Sequence, residues 1–327
     1  MKWLISVVTF IALQCVMASP LEKRASVNDV ATIGYATLNG GTSGGSGGTS
    51  TTVTSLSALT NAVAGDAKKV VIISGTISGD AAVKVGPNTT VVGQKGSSLV
   101  GVGLRVIDAS NVIIRNVKIS KVLADTGDAI GIQSASQVWI DHVDLSSDLD
   151  HDKCRHLPKE LSYSLRSSYD GLLDITHGAT GVTVSNSKFY NHYKASLVGH
   201  SDSNYEEDVA ITVTYVGNYW SNIGSRTPSF RFGHGHIFNS FFESNSDGIN
   251  ARAESQLLVE NNVWTGSKKA LYSTTGGAAV ANGNEFGGAE NSAQTGTFTT
   301  APYSYTLLPT SNVKDFVKSN AGQTLDF

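Results

Sequence analysis

Short runs that alternate apolar and polar residues recur along this chain, broken by Gly, Asn, Asp and Ser, and windows of helical period are few. One five-residue slot repeats: Val112-Ile-Ile-Arg-Asn116, Val138-Trp-Ile-Asp-His142, Val182-Thr-Val-Ser-Asn186, Ile211-Thr-Val-Thr-Tyr215, Gly235-His-Ile-Phe-Asn239 and Leu257-Leu-Val-Glu-Asn261. Their starts are 26, 44, 29, 24 and 22 residues apart, and all but the second interval match one coil of a solenoid. Alternation puts the apolar residues of each slot on one buried face. A polar residue, most often Asn, closes each slot where a left-handed backbone angle turns the chain, and stacked coils would align these amides into a ladder. A sandwich of antiparallel strands would instead turn every 8–12 residues or so and leave the longer repeat unexplained. The pattern therefore predicts an all-β, single-domain parallel β-helix, right-handed by the crossover rule.

Solenoid ends need covers. Thr54–Ala64 carries Leu56, Leu59 and Val63 on one helical face, and Asn312–Asn320 carries Val313, Phe316 and Val317 at the same period. Both read as short capping helices that plug the two ends. The glycine-rich stretch Asn39–Ser50 lacks the Lys-Ser/Thr ending of a phosphate loop and reads as an extended surface segment.

The first residues carry an address rather than a fold. Met1–Ala18 has a basic start, an apolar run and a small-residue end, which predicts a signal peptide. Residues 19–24 read as a short propeptide ending at the dibasic pair Lys23-Arg24, leaving 25–327 as the β-helix domain. A secreted, extracellular monomer is expected. Cys15 leaves with the signal, so Cys154 has no partner for an internal disulfide. The mature chain keeps 21 basic and 26 acidic residues, a balance that does not suggest nucleic-acid binding. No internal run of eighteen apolar residues is present, so a membrane-spanning body is not expected. Asn88-Thr89-Thr90 is a glycosylation acceptor if Asn88 is on the surface.

Ionisable residues gather in the loops before successive slots: Asp128, then Asp170 and Asp174, then Lys194, then Arg226 and Arg231. In a β-helix these offsets place them on one side of the cylinder, over four coils spanning ~14 Å. Three neighbouring carboxylates repel unless a cation lies among them, and hard oxygen donors of this kind favour Ca²⁺. Taken singly, each aspartate also reads as a solvated loop residue. Zinc is a poor alternative: His234 and His236 share a strand face, but neither His192 nor His200 stands at a third-ligand spacing.

Four blocks carry a resemblance. Val138-Trp-Ile-Asp-His-Val143, Tyr169-Asp-Gly-Leu-Leu-Asp174, His192-Tyr-Lys-Ala-Ser-Leu-Val-Gly199 and Ser225-Arg-Thr-Pro-Ser-Phe-Arg-Phe-Gly233 are similar, in order, to the signature blocks of the family 1 pectate lyases, most closely the secreted fungal type. The resemblance implies calcium carboxylates at Asp128, Asp170 and Asp174, a catalytic arginine at Arg226 and substrate-binding cations at Lys194 and Arg231. It also implies β-elimination on polygalacturonate. A further acidic position of some relatives is Thr126 here, with Asp125 beside it.

Rival readings fare worse. Gly233-His-Gly235 imitates a polygalacturonase motif, but the paired carboxylates that hydrolysis needs have no accompanying blocks. A pectin lyase acting on methyl-esterified chains would lack the three aspartates, and a non-catalytic wall-binding β-helix would not need Arg226. One segment departs from the family: Cys154–Ser168 lengthens the coil between Asp150–Lys153 and Tyr169, either as a loop insertion or as translated intron.

Overall fold

The computed structural model describes residues 25–147 and 169–327; the predicted signal peptide, the propeptide and the 154–168 insertion lie outside the described residues. The described chain winds into a parallel β-helix. One sheet has ten strands, from Thr49–Val53 to Ala278–Asn282, and a second has fifteen. The second sheet is two stacks joined by the long strand Ser98–Ile107, which pairs with Lys118–Ser120 through its first half and with Ile130–Gln133 through its second. Three faces therefore surround one continuous apolar core, lined by Val112, Ile114, Val138, Ile140, Val182 and Val184 and their successors.

Five of the six slots stack as read. Val112 pairs with Val138, Val138 with Val182, and Gly235 with Leu257. The fourth is shifted: Val182 pairs with Val213, and Val213 with Gly235, so the slot starts at 213 and not at Ile211. A shift of two preserves which side chains face inward, so alternation alone cannot detect it. The residue that closes this slot is then Gly217 at φ 65°, in place of Tyr215, and it joins Asn116, His142, Asn186, Asn239 and Asn261 at φ 43–56°.

The expected amide ladder exists one residue later. The closing Asn116, Asn239 and Asn261 turn outward and donate to the C-terminal segment, at Leu325, Thr306 and Leu308 carbonyls. The following residues face in: Ser187 N–H donates to Asn218 Oδ1 at 2.8 Å, Ser240 N–H to Asn262 Oδ1 at 2.9 Å, and Asn262 N–H to Asn284 Oδ1 at 3.0 Å. Buried amides require partners, and one per coil supplies them. Beside this ladder Phe189, Trp220, Phe242 and Trp264 stack at 4.2, 5.9 and 4.6 Å with planes within 11°.

The N-terminal helix Leu56–Ala62 begins at Ser55, whose side chain accepts from Ala58 N–H, and buries Leu59 while Val63 caps it. It packs on the first coils as expected. The C-terminal helix Thr310–Asn320 does not plug the far end. It buries Val313 and Val317 against Phe241 and Val263 on the outside of the last strands of one stack, leaving Phe316 exposed. The far end is closed by the last irregular coil, through Phe286, Ala289 and Ala293. The glycine-rich stretch is also not a free surface segment: Gly44 and Gly45 donate to Asn111 and Thr90, laying it on the back of the ten-stranded sheet. Asn88 is half-buried, its amide engaged with the Asp66 carbonyl and with Asn111.

His236 is buried on the ten-stranded sheet between Tyr303 Oη at 2.7 Å and Glu260 at 3.1 Å. Burial pushes its imidazole down to about 4, although Glu260 pulls the other way. Between that value and the unfolded pKa of about 6.5 the unfolded chain binds the proton and the folded chain does not, so stability rises with pH through this window. We expect thermal melts to show a loss on the order of 3 kcal/mol on acidification through it. In His236→Gln this component of the pH dependence should disappear.

Candidate functional site

The ionisable loop residues do fall on one side, at the bend between the two stacks of the fifteen-stranded sheet. Asp128 precedes strand Ile130–Gln133, and Asp170 and Asp174 enter and begin Leu173–Thr176. Lys194 ends Lys188–Lys194, while Arg226 follows Tyr219–Ser225 and Arg231 ends Ser229–Arg231. Register links them rung by rung: Asp174 pairs with Gly131 and Lys194 with Ser225.

Contacts on this face are specific. Asp128 Oδ1 accepts from Gly171 N–H at 2.9 Å, and Asp174 Oδ1 accepts from Leu197 N–H at 2.9 Å. Gly171 separates the two carboxylates: a Cβ there would lie 2.7 Å from an oxygen of each. Only a residue without a side chain lets both converge. Arg226 Nη1 lies 3.7 Å from Asp174 Oδ2, and Lys194 Nζ donates to Asp170 Oδ1 at 2.9 Å. Arg231 stands apart, its guanidinium held by Asp202 and by the Gly199 carbonyl at 2.7 Å. That hydrogen bond holds the Asp202 carboxyl below its usual range.

Several positioning residues were not anticipated. Asp247, one coil after Arg226, accepts from Ser225 Oγ at 3.1 Å, from Arg226 N–H at 3.3 Å and from Tyr272 Oη at 2.9 Å. It fixes a backbone that carries Arg226 at φ 63°, a left-handed angle few arginines adopt. His192 is buried and bridges Ser147 Oγ to the Asp170 carbonyl, which ties down the acidic loop. The 22-residue offset from Ser225 to Asp247 repeats the coil period and was the available signal.

Burial raises the carboxyl pKa of both Asp128 and Asp174, reinforced by Asp170 at the first and by Asp128 at the second. Arg105 and then Arg226 partly offset the shift at Asp128, and Arg226 that at Asp174. The carboxylates of this face are hard oxygen donors, which suit Ca²⁺. Among the described residues, no three acidic or imidazole side chains converge closely enough to cage a metal unaided. Asp128 and Asp174 form the convergent pair and Asp170 is turned to Lys194, so a bound ion would need water or ligand oxygens as well.

The sequence profile of the family described as pectate lyase matches residues 1–325. A probable pectate lyase A of Aspergillus niger is 54% identical, the alignment covering 100% of this chain and 99% of that one. One from Aspergillus fumigatus is 57% identical over 94% of this chain and 92% of its own length. Among solved structures, a pectate lyase from Bacillus sp. N165 in complex with trigalacturonate superposes with a TM-score of 0.76 at 29% identity, covering 89% of this chain and 98% of that one. Pectate lyase II of Xanthomonas campestris gives 0.71 at 26% identity, with 91% and 100% covered.

Coupling between the carboxylates is directly measurable. In Asp128→Asn, Asp174 should titrate at lower pH than in the native chain, because one repelling anion is gone. Carboxyl chemical shifts followed against pH in the metal-free protein will read this. An unchanged Asp174 would mean that the two groups do not sense each other.

Proposed function

The chain belongs to the pectate lyase family, and we propose that it cleaves de-esterified homogalacturonan by calcium-dependent β-elimination outside the cell. The observation that carries this reading is the approach of Arg226 to Asp174, which lies beside Asp128 on the same face, across the intervening coil that carries Lys194. The trigalacturonate bound to the Bacillus relative supports the same substrate class.

In the proposed reaction Arg226 takes the proton from C5 of a galacturonate. The C5–H electron pair forms the C4–C5 double bond as the C4–O bond breaks, and the departing oxygen is protonated from solvent. Asp128, Asp174 and Asp170 would hold the Ca²⁺. Bound there, the ion supplies Lewis acidity that draws charge from the sugar carboxylate and makes the C5 hydrogen more acidic. Lys194 would exchange Asp170 for a substrate carboxylate, and Arg231 would likewise exchange Asp202. Asp247 keeps the Arg226 backbone in place while the proton moves.

Guanidinium groups ordinarily lose a proton only above about pH 12, so turnover should climb on the alkaline side. A rate flat from neutral to alkaline pH would count against Arg226 as the base. The direct test is ultraviolet absorbance of the unsaturated product on polygalacturonate, with and without a chelator. Absorbance should grow only with calcium present, and Arg226→Lys should remove nearly all of it. Product formation at the native rate in chelator would overturn the calcium step. A second variant, Gly171→Ala, should fold with a near-native melt yet lose turnover on the order of 100-fold, since its Cβ displaces both carboxylates.

A further inference from the structure

Arg105 lies on the long strand that joins two faces and pairs in register with Gly131, which pairs in turn with Asp174. One outward column therefore reads Arg105, Gly131, Asp174 over two coil steps, ~10 Å. A side chain at 131 would block it: a Cβ there would lie 3.0 Å from Arg105 Cδ and 3.4 Å from Nε. The arginine stem is thus laid across the glycine toward the acidic rungs, and Nη2 comes within 2.8 Å of the point a Cβ on Gly127, next to Asp128, would occupy.

Its hydrogen bonds go to neutral acceptors. Nη1 donates to the Leu104 carbonyl at 3.0 Å and Nη2 to the Thr126 carbonyl at 2.8 Å. Among the described residues this buried guanidinium, 9% exposed, has no direct ion pair. Carbonyls satisfy its donors but leave its charge, and where water is scarce that charge acts on the nearest anions. Those anions are Asp128, Asp174 and Asp170. Burial lowers the pKa of the guanidinium, and all three carboxylates oppose that shift.

From this juxtaposition we infer that Arg105 is a resident countercharge for the acidic rungs. It lets three carboxylates occupy adjacent coils without a metal, and by like-charge repulsion it sets the calcium affinity below what those carboxylates alone would give. The inference rests on the proposed reading of the aspartates as a calcium site. Arg105 touches neither substrate nor ion in this role; it is a positioning residue acting through the field it projects.

The test compares the native chain with Arg105→Gln and Arg105→Lys, by calorimetric calcium titration and by thermal melts in chelator. Arg105→Gln should bind calcium on the order of tenfold more tightly and melt lower without metal, while Arg105→Lys stays near native in both. A folded Gln variant with native or weaker affinity overturns the inference. So does a Lys variant that behaves like Gln, because the hydrogen bonds to Leu104 and Thr126 would then matter and the charge would not. If Arg105→Gln does not fold, the Lys variant decides: native-like affinity supports the role, and a tenfold change in either direction overturns it. A native chain that binds no calcium refutes the metal reading instead. The chelator melts still judge Arg105 in that case, with Gln below Lys in support and the two equal against.

Discussion

Parallel, in-register hydrogen bonding between successive coils converts distance along the chain into height on the cylinder. Val112, Val138, Val182, Val213, Gly235 and Leu257 share one column because each strand binds the next without slipping. The same registration brings Asp174 one coil from Gly131 and two from Arg105, and sets Lys194 beside Ser225. The loops are free to vary in length and sequence because the strands on either side hold the register. A slip of one residue in any strand would turn its apolar side chains outward and carry the site residues with them.

The architecture was largely legible because its cause, alternation within a repeated slot, is local. Alternation has period two, however, and so it could not separate Ile211 from Val213 as the start of a coil. It also could not tell which residue at a bend faces in. Asn239 and Asn261 were natural candidates for a ladder, yet Ser240 and Asn262 form it, since the left-handed closing residue turns away from the core and onto the C-terminal segment. On the candidate face, the gathering of Asp128, Asp170, Asp174, Lys194, Arg226 and Arg231 was legible from their order before successive slots, while the roles proposed for them came from the resemblance. Asp247, Gly171 and Arg105 were not, because their roles are set by what lies one coil away and not by their neighbours in the chain. The helix at Thr310–Asn320 was found by its period. Its docking place depends on Phe241 and Val263, apolar residues that face out of the cylinder, and a helical pattern says nothing about those.

The cations at the rim of this face are already paired within the chain. Lys194 holds Asp170, Arg226 lies against Asp174, and Arg231 is bound by Asp202, which also accepts from Arg252 at 2.9 Å. This resolves an apparent conflict between an acidic protein and the polyanion proposed as its substrate. On the proposed reading, each of these three cations is presented with a carboxylate in place, so an incoming acidic sugar would replace a partner of its own kind and need not be drawn from afar. Discrimination then depends on how well each seat fits a sugar carboxylate compared with an aspartate.

The outward-turned asparagines have a mechanical meaning. A stack whose coils touch only their neighbours tends to peel from its ends. Here the terminal segment is fastened at Asn261 and Asn239, and its last residues bond to Asn116 and, through Gln323, to Ser97 on much earlier coils. Like a spine stitched along the gatherings of a book, this strip makes late and early turns come apart together, so the β-helix should open as one body and resist proteases that attack frayed ends.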